Sequence, residues 1–245
     1  MTIKITTIGW WGAYPEANEA TSGYLLQSEG LSILVDCGSG VISHLQNYVQ
    51  LQHLDAVVLS HYHWDHVADI GCLQYAARIL MDLGKRQKPL AIYGHAEDDN
   101  LYGLDYLQYS KGFAIDPNTS LKLDHLTLRF CRNVHPDPSF SIRVDAAACS
   151  LVYMTDTGWT EALIEFAQGA DLLICESSLY DEYRGRIAGH LTAGEAGQIA
   201  AVAGVQHLVL THLPHFGEHA VLLKQAAAKF GGKIELATTG KVWQL

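Results

Sequence analysis

The stretch Ser60-His61-Tyr62-His63-Trp64-Asp65-His66 constrains this chain more than any other. It follows the apolar run Asp55-Ala56-Val57-Val58-Leu59, which reads as a buried strand, and it precedes a helix-like pattern. Four potential metal ligands therefore fall within six residues at a strand end. His61 and His63 are two apart on extended chain, so their imidazoles project to one side and can share one ion. Asp65 and His66 come where the chain turns into a helix, so their side chains diverge from the first pair and can serve a second ion. Any one of these residues alone would read as an ordinary polar loop position. All four together, directly after a buried strand, argue for metal.

With 245 residues, 49% of them hydrophobic, the chain can bury a sizeable core as one domain, 1–245, or as one internally duplicated domain. The formal charge of −10 opposes non-specific attraction to phosphate backbones and argues against a general nucleic-acid binder, although Arg184 and Arg186 could form a local basic patch. Five cysteines, Cys37, Cys72, Cys131, Cys149 and Cys175, include no Cys-x-x-Cys pair, and their odd number fits reduced thiols. Met1 to Gly9 alternates like a strand and lacks the charged and apolar regions of a signal peptide, and no later run suits a membrane span. A cytoplasmic chain with no membrane partner is expected.

Ser60 to His66 resembles the signature of the metallo-β-lactamase superfamily. The resemblance implies an α+β chain folded as a four-layer αββα sandwich, two mixed β-sheets flanked by helices, with a one- or two-metal hydrolytic site. The rest of the chain carries further motifs in order. Gly23 to Gln27 and Leu31 to Asp36 flank Ser28-Glu29-Gly30 as a β-hairpin. It ends in Asp36-Cys37-Gly38, similar to the family's first motif, in which such an Asp supports the metal loop through hydrogen bonds without binding metal. Helical spacing is read over Val41 to Leu51, from His66 to Gly84, over Asn100 to Ser110, over Thr160 to Ala167 and over Ala193 to Val205. Leu90 to Gly94 reads as a strand, and His95 after it stays unassigned. His135, before the strand-like Phe140 to Val144, resembles the family's third-His motif. Asp156 closes the apolar run Ser150 to Thr155, where the family's Asp bridges both metals. His212 follows His207 to Leu210 and looks like the last metal ligand, whereas His215 and His219 are read as loop residues outside the ligand set.

The resemblance thus implies His61, His63 and His135 on one ion, Asp65, His66 and His212 on another, and Asp156 between them. Nitrogen and carboxylate donors without thiolate suit two Zn²⁺ per chain, with Mn²⁺ or Fe²⁺ tolerable. Two such ions about 3.5–4 Å apart would hold a hydroxide that attacks a polarised substrate, which makes a hydrolase. Glu176, at the end of Leu172 to Glu176, and His190, before a Thr192/Glu195 capping box, resemble the ribonuclease Z and phosphodiesterase branch, where such a His protonates the leaving oxygen. The catalytic candidates are Asp65, His190 and Glu176. Ribonuclease Z carries a long transfer-RNA arm between the counterparts of His135 and Asp156, and here twenty residues separate them. Cys175, Ser177 and Ser178 also stand where the family usually has His, Ala and Thr, and Leu191 where it has Ser. The expected substrate is therefore a small or short phosphodiester rather than a long nucleic acid, acted on by a homodimer. Alternatives are a thioester, lactone or other ester hydrolase, an RNA 3′-processing endonuclease and, last, a non-catalytic metal-binding scaffold.

Overall fold

A computed structural model describes residues 2–245, so Met1, first residue of the expected opening strand, lies outside the described residues. In chain order the strands are β1 (Lys4–Gly9), β2 (Gly23–Ser28), β3 (Leu31–Val35), β4 (Ala56–Val58), β5 (Leu90–His95), β6 (Ser110–Ile115), β7 (Ser120–Leu123), β8 (Leu126–Arg132), β9 (Phe140–Asp145), β10 (Ser150–Met154), β11 (Leu172–Glu176), β12 (His207–Thr211), β13 (Lys233–Leu236) and β14 (Val242–Gln244). The helices are α1 (Val41–Leu45), α2 (Trp64–Val67), α3 (Ile70–Asp82), α4 (Glu161–Ala167), α5 (Ala193–Ala203) and α6 (His219–Ala227). The chain divides into two compact units, one of residues 3–116 and 238–244, the other chiefly of residues 117–237. Each holds one mixed seven-stranded sheet flanked by helices.

In the first unit the order is β14-β1-β2-β3-β4-β5-β6, antiparallel as far as β3 and parallel from β3 to β6. The β2–β3 hairpin turns through Glu29 and Gly30, both at positive φ (46° and 93°), the twist that suits a two-residue turn between right-twisted strands. Leu25, Leu34, Val57 and Ile92 from the sheet bury against Leu45 of α1 and Leu73 and Ala77 of α3. Each such side chain is worth about 1.5–3 kcal/mol of transfer from water. α3 is held by the apolar stripe Ile70, Leu73 and Ala77, spaced for one face of a helix.

The second sheet runs β13-β12-β11-β10-β9-β8-β7, antiparallel from β7 to β10 and parallel from β10 to β13. β10, β11 and the last four residues of β12 are wholly buried, which is why they read as unbroken apolar runs. α5 begins at the expected capping box, with both Thr192 and Glu195 bonds made, and ends at Gly204 in the left-handed region, φ 67°. A Cβ on Gly197 would fall 2.5 Å from the Ala226 carbonyl oxygen, so α5 meets α6 backbone to backbone only because position 197 is glycine.

Several expectations need correction. Asn100 to Ser110 is not an α-helix: a 3₁₀ turn covers Asp99–Leu104, a tight turn follows, and Ser110 opens β6. The Asp105 carboxylate accepts from the Gly112 amide and Lys111, and Leu107 takes φ 49°, so local polar bonding overrides the tyrosine and leucine spacing. α1 stops at Leu45 instead of running to Leu51, and the helix after His66 is two pieces that meet at Asp69. His219 is not in a loop; it opens α6 and its Nε2 donates to the Pro214 carbonyl at 2.7 Å. No helix among the described residues is long and apolar enough to cross a membrane.

Candidate metal centre

In the first unit the chemistry gathers at the C-terminal ends of the parallel strands β3, β4 and β5. β4 is three buried residues, after which Leu59 and Ser60 carry the chain out to His61 and His63, and α2 starts at Trp64. Asp36, just beyond β3, is completely buried and sits at φ 57°. Its carboxylate accepts from the Ser60 amide and the Ser60 hydroxyl, each at 2.8 Å, and from His66 Nδ1 at 2.8 Å. Asp36 thus ties down the loop from behind, the supporting part that the resemblance implied.

These bonds also fix tautomers. The single hydroxyl proton of Ser60 goes to Asp36, so Ser60 Oγ can only accept from His61 Nδ1, 3.1 Å away. His61 and His66 therefore both carry hydrogen on Nδ1 and present Nε2 lone pairs, the form a metal ligand needs. The rings of His61 and His63 are 4.8 Å apart between centroids, those of His61 and His66 4.1 Å. Asp65 Oδ2 lies 3.6 Å from His66 Nε2 and accepts from the Ala13 amide at 2.8 Å. The loop passes so close to the next turn that a Cβ on Gly38 would fall 2.0 Å from the Asp65 carbonyl oxygen. Beside it, Tyr62 donates to the His95 carbonyl at 2.7 Å and packs on the His95 ring, and burial together with the Asp98 charge pushes its phenol well above the usual range. His95 thus supports the loop from β5.

In the second unit the same kind of strand ends delivers Asp156 after β10, Glu176 at the close of β11 and His212 after β12, with His135 beyond β8. Asn133 locks the His135 loop: its amide donates to Ser139 Oγ and the Asp156 carbonyl, and its Oδ1 accepts from Ser141. His135 Nδ1 donates to the Asp137 carbonyl at 3.0 Å, which leaves Nε2 as the ligand atom, and the ligand atoms of His135 and Asp156 lie within 4.8 Å of each other. His212, at φ 53°, sets Nε2 3.3 Å from Asp156 Oδ1.

Glu176 is completely buried and accepts from five donors: the Thr157, Ser178 and Leu191 amides, the Ser178 hydroxyl and His190 Nδ1. A buried carboxylate is tolerable only when bonded in this way. Ser178 repeats the logic of Ser60. It donates to Glu176 at 2.8 Å, so it accepts from His212 Nδ1 at 2.8 Å and turns His212 Nε2 toward Asp156. His190, 3.2 Å from Glu176, lies with its ring nearly parallel to that of His212, 5.8 Å between centroids. Its side chain is 19% exposed, whereas Glu176 is sealed from water. Of the basic pair in this segment, Arg184 is committed to Glu195 at 2.7 Å and Arg186 lies over the Tyr183 ring.

The first unit therefore brings together His61, His63, Asp65 and His66, and the second brings together His135, Asp156, Glu176, His190 and His212. The parts that sequence reasoning missed are Ser60 and Ser178 as tautomer-setting hydroxyls, Asn133, and Gly189, which packs against His135. Ser178 stands two residues beyond the strand-end carboxylate Glu176, which was an available signal, whereas Asp36 is 24 residues from Ser60 and gave none. Burial, aided by nearby carboxylates, pushes the Cys37 and Cys175 thiols well up, and the candidate ligand groups among the described residues contain only nitrogen and carboxylate donors. That set fits a borderline divalent ion.

Residues 32–213 match the Beta-lactamase superfamily domain. The probable metallo-hydrolase YhfI of Bacillus subtilis is 46% identical over 99% of this chain and 100% of its own length. The crystal structure of YhfI, a metallo-beta-lactamase fold protein, aligns with a TM-score of 0.98 at 45% identity over 100% of both chains. A ribonuclease Z of Methanosarcina acetivorans is 29% identical over 86% of this chain and 87% of its own length. The structure of a diphosphatase from the PhnP family has a TM-score of 0.81 at 16% identity over 100% of this chain and 98% of that one, a likeness of fold. The fold implied by residues 60–66 is thus the fold the chain has, and it implies divalent metal ions. On the match of its greater part and the identity to YhfI, the chain belongs to the beta-lactamase superfamily, a membership that supports a hydrolase.

Proposed function

We propose that the chain is a metal-dependent phosphodiesterase of small or short phosphodiesters, its two donor sets closing on one pair of divalent ions. His61, His63 and His135 would hold one ion and Asp65, His66 and His212 the other, with Asp156 shared. Two ions held there, Zn²⁺ by donor type, supply Lewis-acid polarisation of the phosphoryl oxygen and acidify water at neutral pH. The remaining steps belong to the chain's own groups. Asp36 and Glu176 keep the ligand imidazoles in the required tautomers through Ser60 and Ser178.

The observation that carries the reading is His190. Glu176 engages its Nδ1, so that Nε2 would hand a proton to a departing alkoxide oxygen, a task that a thioester, which expels a stable thiolate, does not set. The name of the ribonuclease Z relative supports the same bond type. The formal charge of −10 and the short span between His135 and Asp156 favour a small substrate over long nucleic acid. The working form is taken to be a homodimer, which sedimentation equilibrium reads directly.

The test is hydrolysis of bis-p-nitrophenyl phosphate with added Zn²⁺ or Mn²⁺. Wild type turns over; on a diester with an alkoxide leaving group, such as a dinucleoside phosphate, His190→Ala loses about 10²–10⁴-fold in kcat while still binding metal, and the loss is smaller on the p-nitrophenyl ester, whose leaving oxygen departs without a proton. Absence of turnover, or a His190→Ala undiminished on the dinucleoside phosphate, sinks the reading. Cleavage of thioesters or lactones with phosphodiesters untouched would transfer it to an ester hydrolase on the same fold.

A further inference from the structure

The loop that carries Ser178 and His190 and the loop that leaves His212 are bound to each other by an aromatic cluster that no metal or acid–base role uses. Phe216 is 47% exposed, although it packs against two aromatic neighbours. Its backbone carbonyl accepts from Tyr180 Oη at 3.0 Å. Its ring is flanked by that of Tyr180, 5.7 Å away and tilted, and by that of Tyr183, 5.6 Å away and edge-on. Tyr180 is itself buried, and Gly217 turns at φ 73° with so little room that a Cβ would fall 2.5 Å from Tyr180 Oη. On the far side of the cluster the Arg186 guanidinium covers Tyr183, 5.3 Å from its centroid. The backbone thus holds a large apolar ring out in water, where burial would have been the cheaper outcome.

Position explains the cost. Phe216 is four residues beyond His212, at most about 14 Å of extended chain. Tyr180 is two residues beyond Ser178, and Leu179 is bonded to the chain on both sides of Thr192, next to His190. The exposed ring therefore stands on the same two loops as the proton donor and one metal ligand. It is preorganised by a hydrogen bond to its carbonyl and by two flanking rings. A flat π-face held on the loops of a phosphodiester site suits a planar heteroaromatic group on the substrate.

We infer that Phe216, mounted on Tyr180 and Tyr183, is a stacking platform for the base of a nucleoside phosphodiester. This deepens the phosphodiesterase reading and rests on it. The test compares thymidine 5′-monophosphate p-nitrophenyl ester with methyl p-nitrophenyl phosphate on the Zn²⁺-loaded full chain. The two share a leaving group and differ in the nucleoside. Phe216→Ala lowers the ratio of kcat/KM between them by about 5- to 150-fold, the range expected when one stacked base is lost, and Phe216→Trp keeps the ratio. Titration calorimetry separates this from the reaction itself: wild type binds adenosine 5′-monophosphate more tightly than ribose 5-phosphate, and Phe216→Ala abolishes that preference. Equal binding of the two ligands by wild type, or an unchanged ratio in Phe216→Ala, overturns the platform even if phosphodiesters are cleaved. So does a Phe216→Ala that only dissociates an oligomer, since the ring would then belong to a contact between copies. A preference for adenosine 5′-monophosphate with neither ester hydrolysed upholds the platform and sinks the phosphodiesterase reading.

Discussion

Replacing Ser178 by alanine removes one oxygen atom and strands two groups. The hydroxyl donates to Glu176 and accepts from His212 Nδ1, both at 2.8 Å. Glu176 keeps its other four donors, so its loss is small. For His212 Nδ1 the serine is a 2.8 Å acceptor, and with the side chain only 7% exposed water cannot readily replace it. A buried donor left without its acceptor costs about 1–3 kcal/mol. If the ring relieves that cost by rotating or by moving its proton to Nε2, the lone pair turns away from Asp156 and the penalty falls on metal binding. Outer hydrogen bonds of this kind are worth about 10–100-fold in metal affinity, which matches the same energy range at about 1.4 kcal/mol per tenfold. The assay is Zn²⁺ competition against a chromophoric chelator, paired with a thermal melt of the chelated protein. Ser178→Ala should bind Zn²⁺ about 10–100-fold more weakly, and Ser178→Thr, which keeps the hydroxyl, should recover most of it. Unchanged affinity in Ser178→Ala, or a Ser178→Thr as defective as the alanine, refutes the hydroxyl's role.

Other consequences follow from the same geometry. Asp36→Ala should destabilise the chain by about 3 kcal/mol or more, since it leaves Ser60 and His66 buried without their acceptor; urea unfolding measures it. Gly189→Ala should leave folding largely intact and weaken metal binding and turnover. At φ 84° the new Cβ would stand 2.7 Å from both His135 Cδ2 and Pro136 Cδ, and calorimetry with Zn²⁺ reads the displacement of His135. The Cys37 and Cys175 thiols, pushed up by burial, hold their protons in the folded chain after unfolded thiols have begun to lose theirs. Their contribution to stability is complete below the ordinary thiol pKa of about 8.5 and declines as pH rises through the folded values. Melting temperature should therefore fall above that pH, and at pH 8 a thiol reagent should label exposed Cys72 and reach Cys37 and Cys175 only after unfolding.

What could be read from the sequence tracks what each signal depends on. Buried parallel strands are continuous apolar runs, so β4, β10, β11 and β12 were legible, and with them the residues they deliver: the His61 to His66 cluster, Asp156, Glu176 and His212. The α5 start was legible because a capping box is a local device with fixed spacing. β6 and β14 were not. Ser-Lys-Gly-Phe-Ala-Ile and Val-Trp-Gln owe their extended form to partners far away, β5 for one and β1 for the other. Asn100 to Ser110 misled because its aromatic spacing resembles a helix, while Asp105 and Leu107 settle the backbone through bonds that periodicity does not encode. Ser60 and Ser178 were visible as letters, but a hydroxyl's single proton acquires meaning only once its three-dimensional neighbours are known.

The pairing of β14 with β1 bears on how the protein is made. Lys4, Ile5 and Thr6 pair with Gln244, Trp243 and Val242, so β1 must wait for a strand synthesised far later along the chain. Until Val242–Gln244 emerges, β1 is a bare sheet margin with unmet amides and carbonyls, the kind of surface that recruits stray strands. Nascent or truncated chains lacking residues 238–245 should therefore self-associate, and a synthetic peptide of that sequence should rescue them by strand addition.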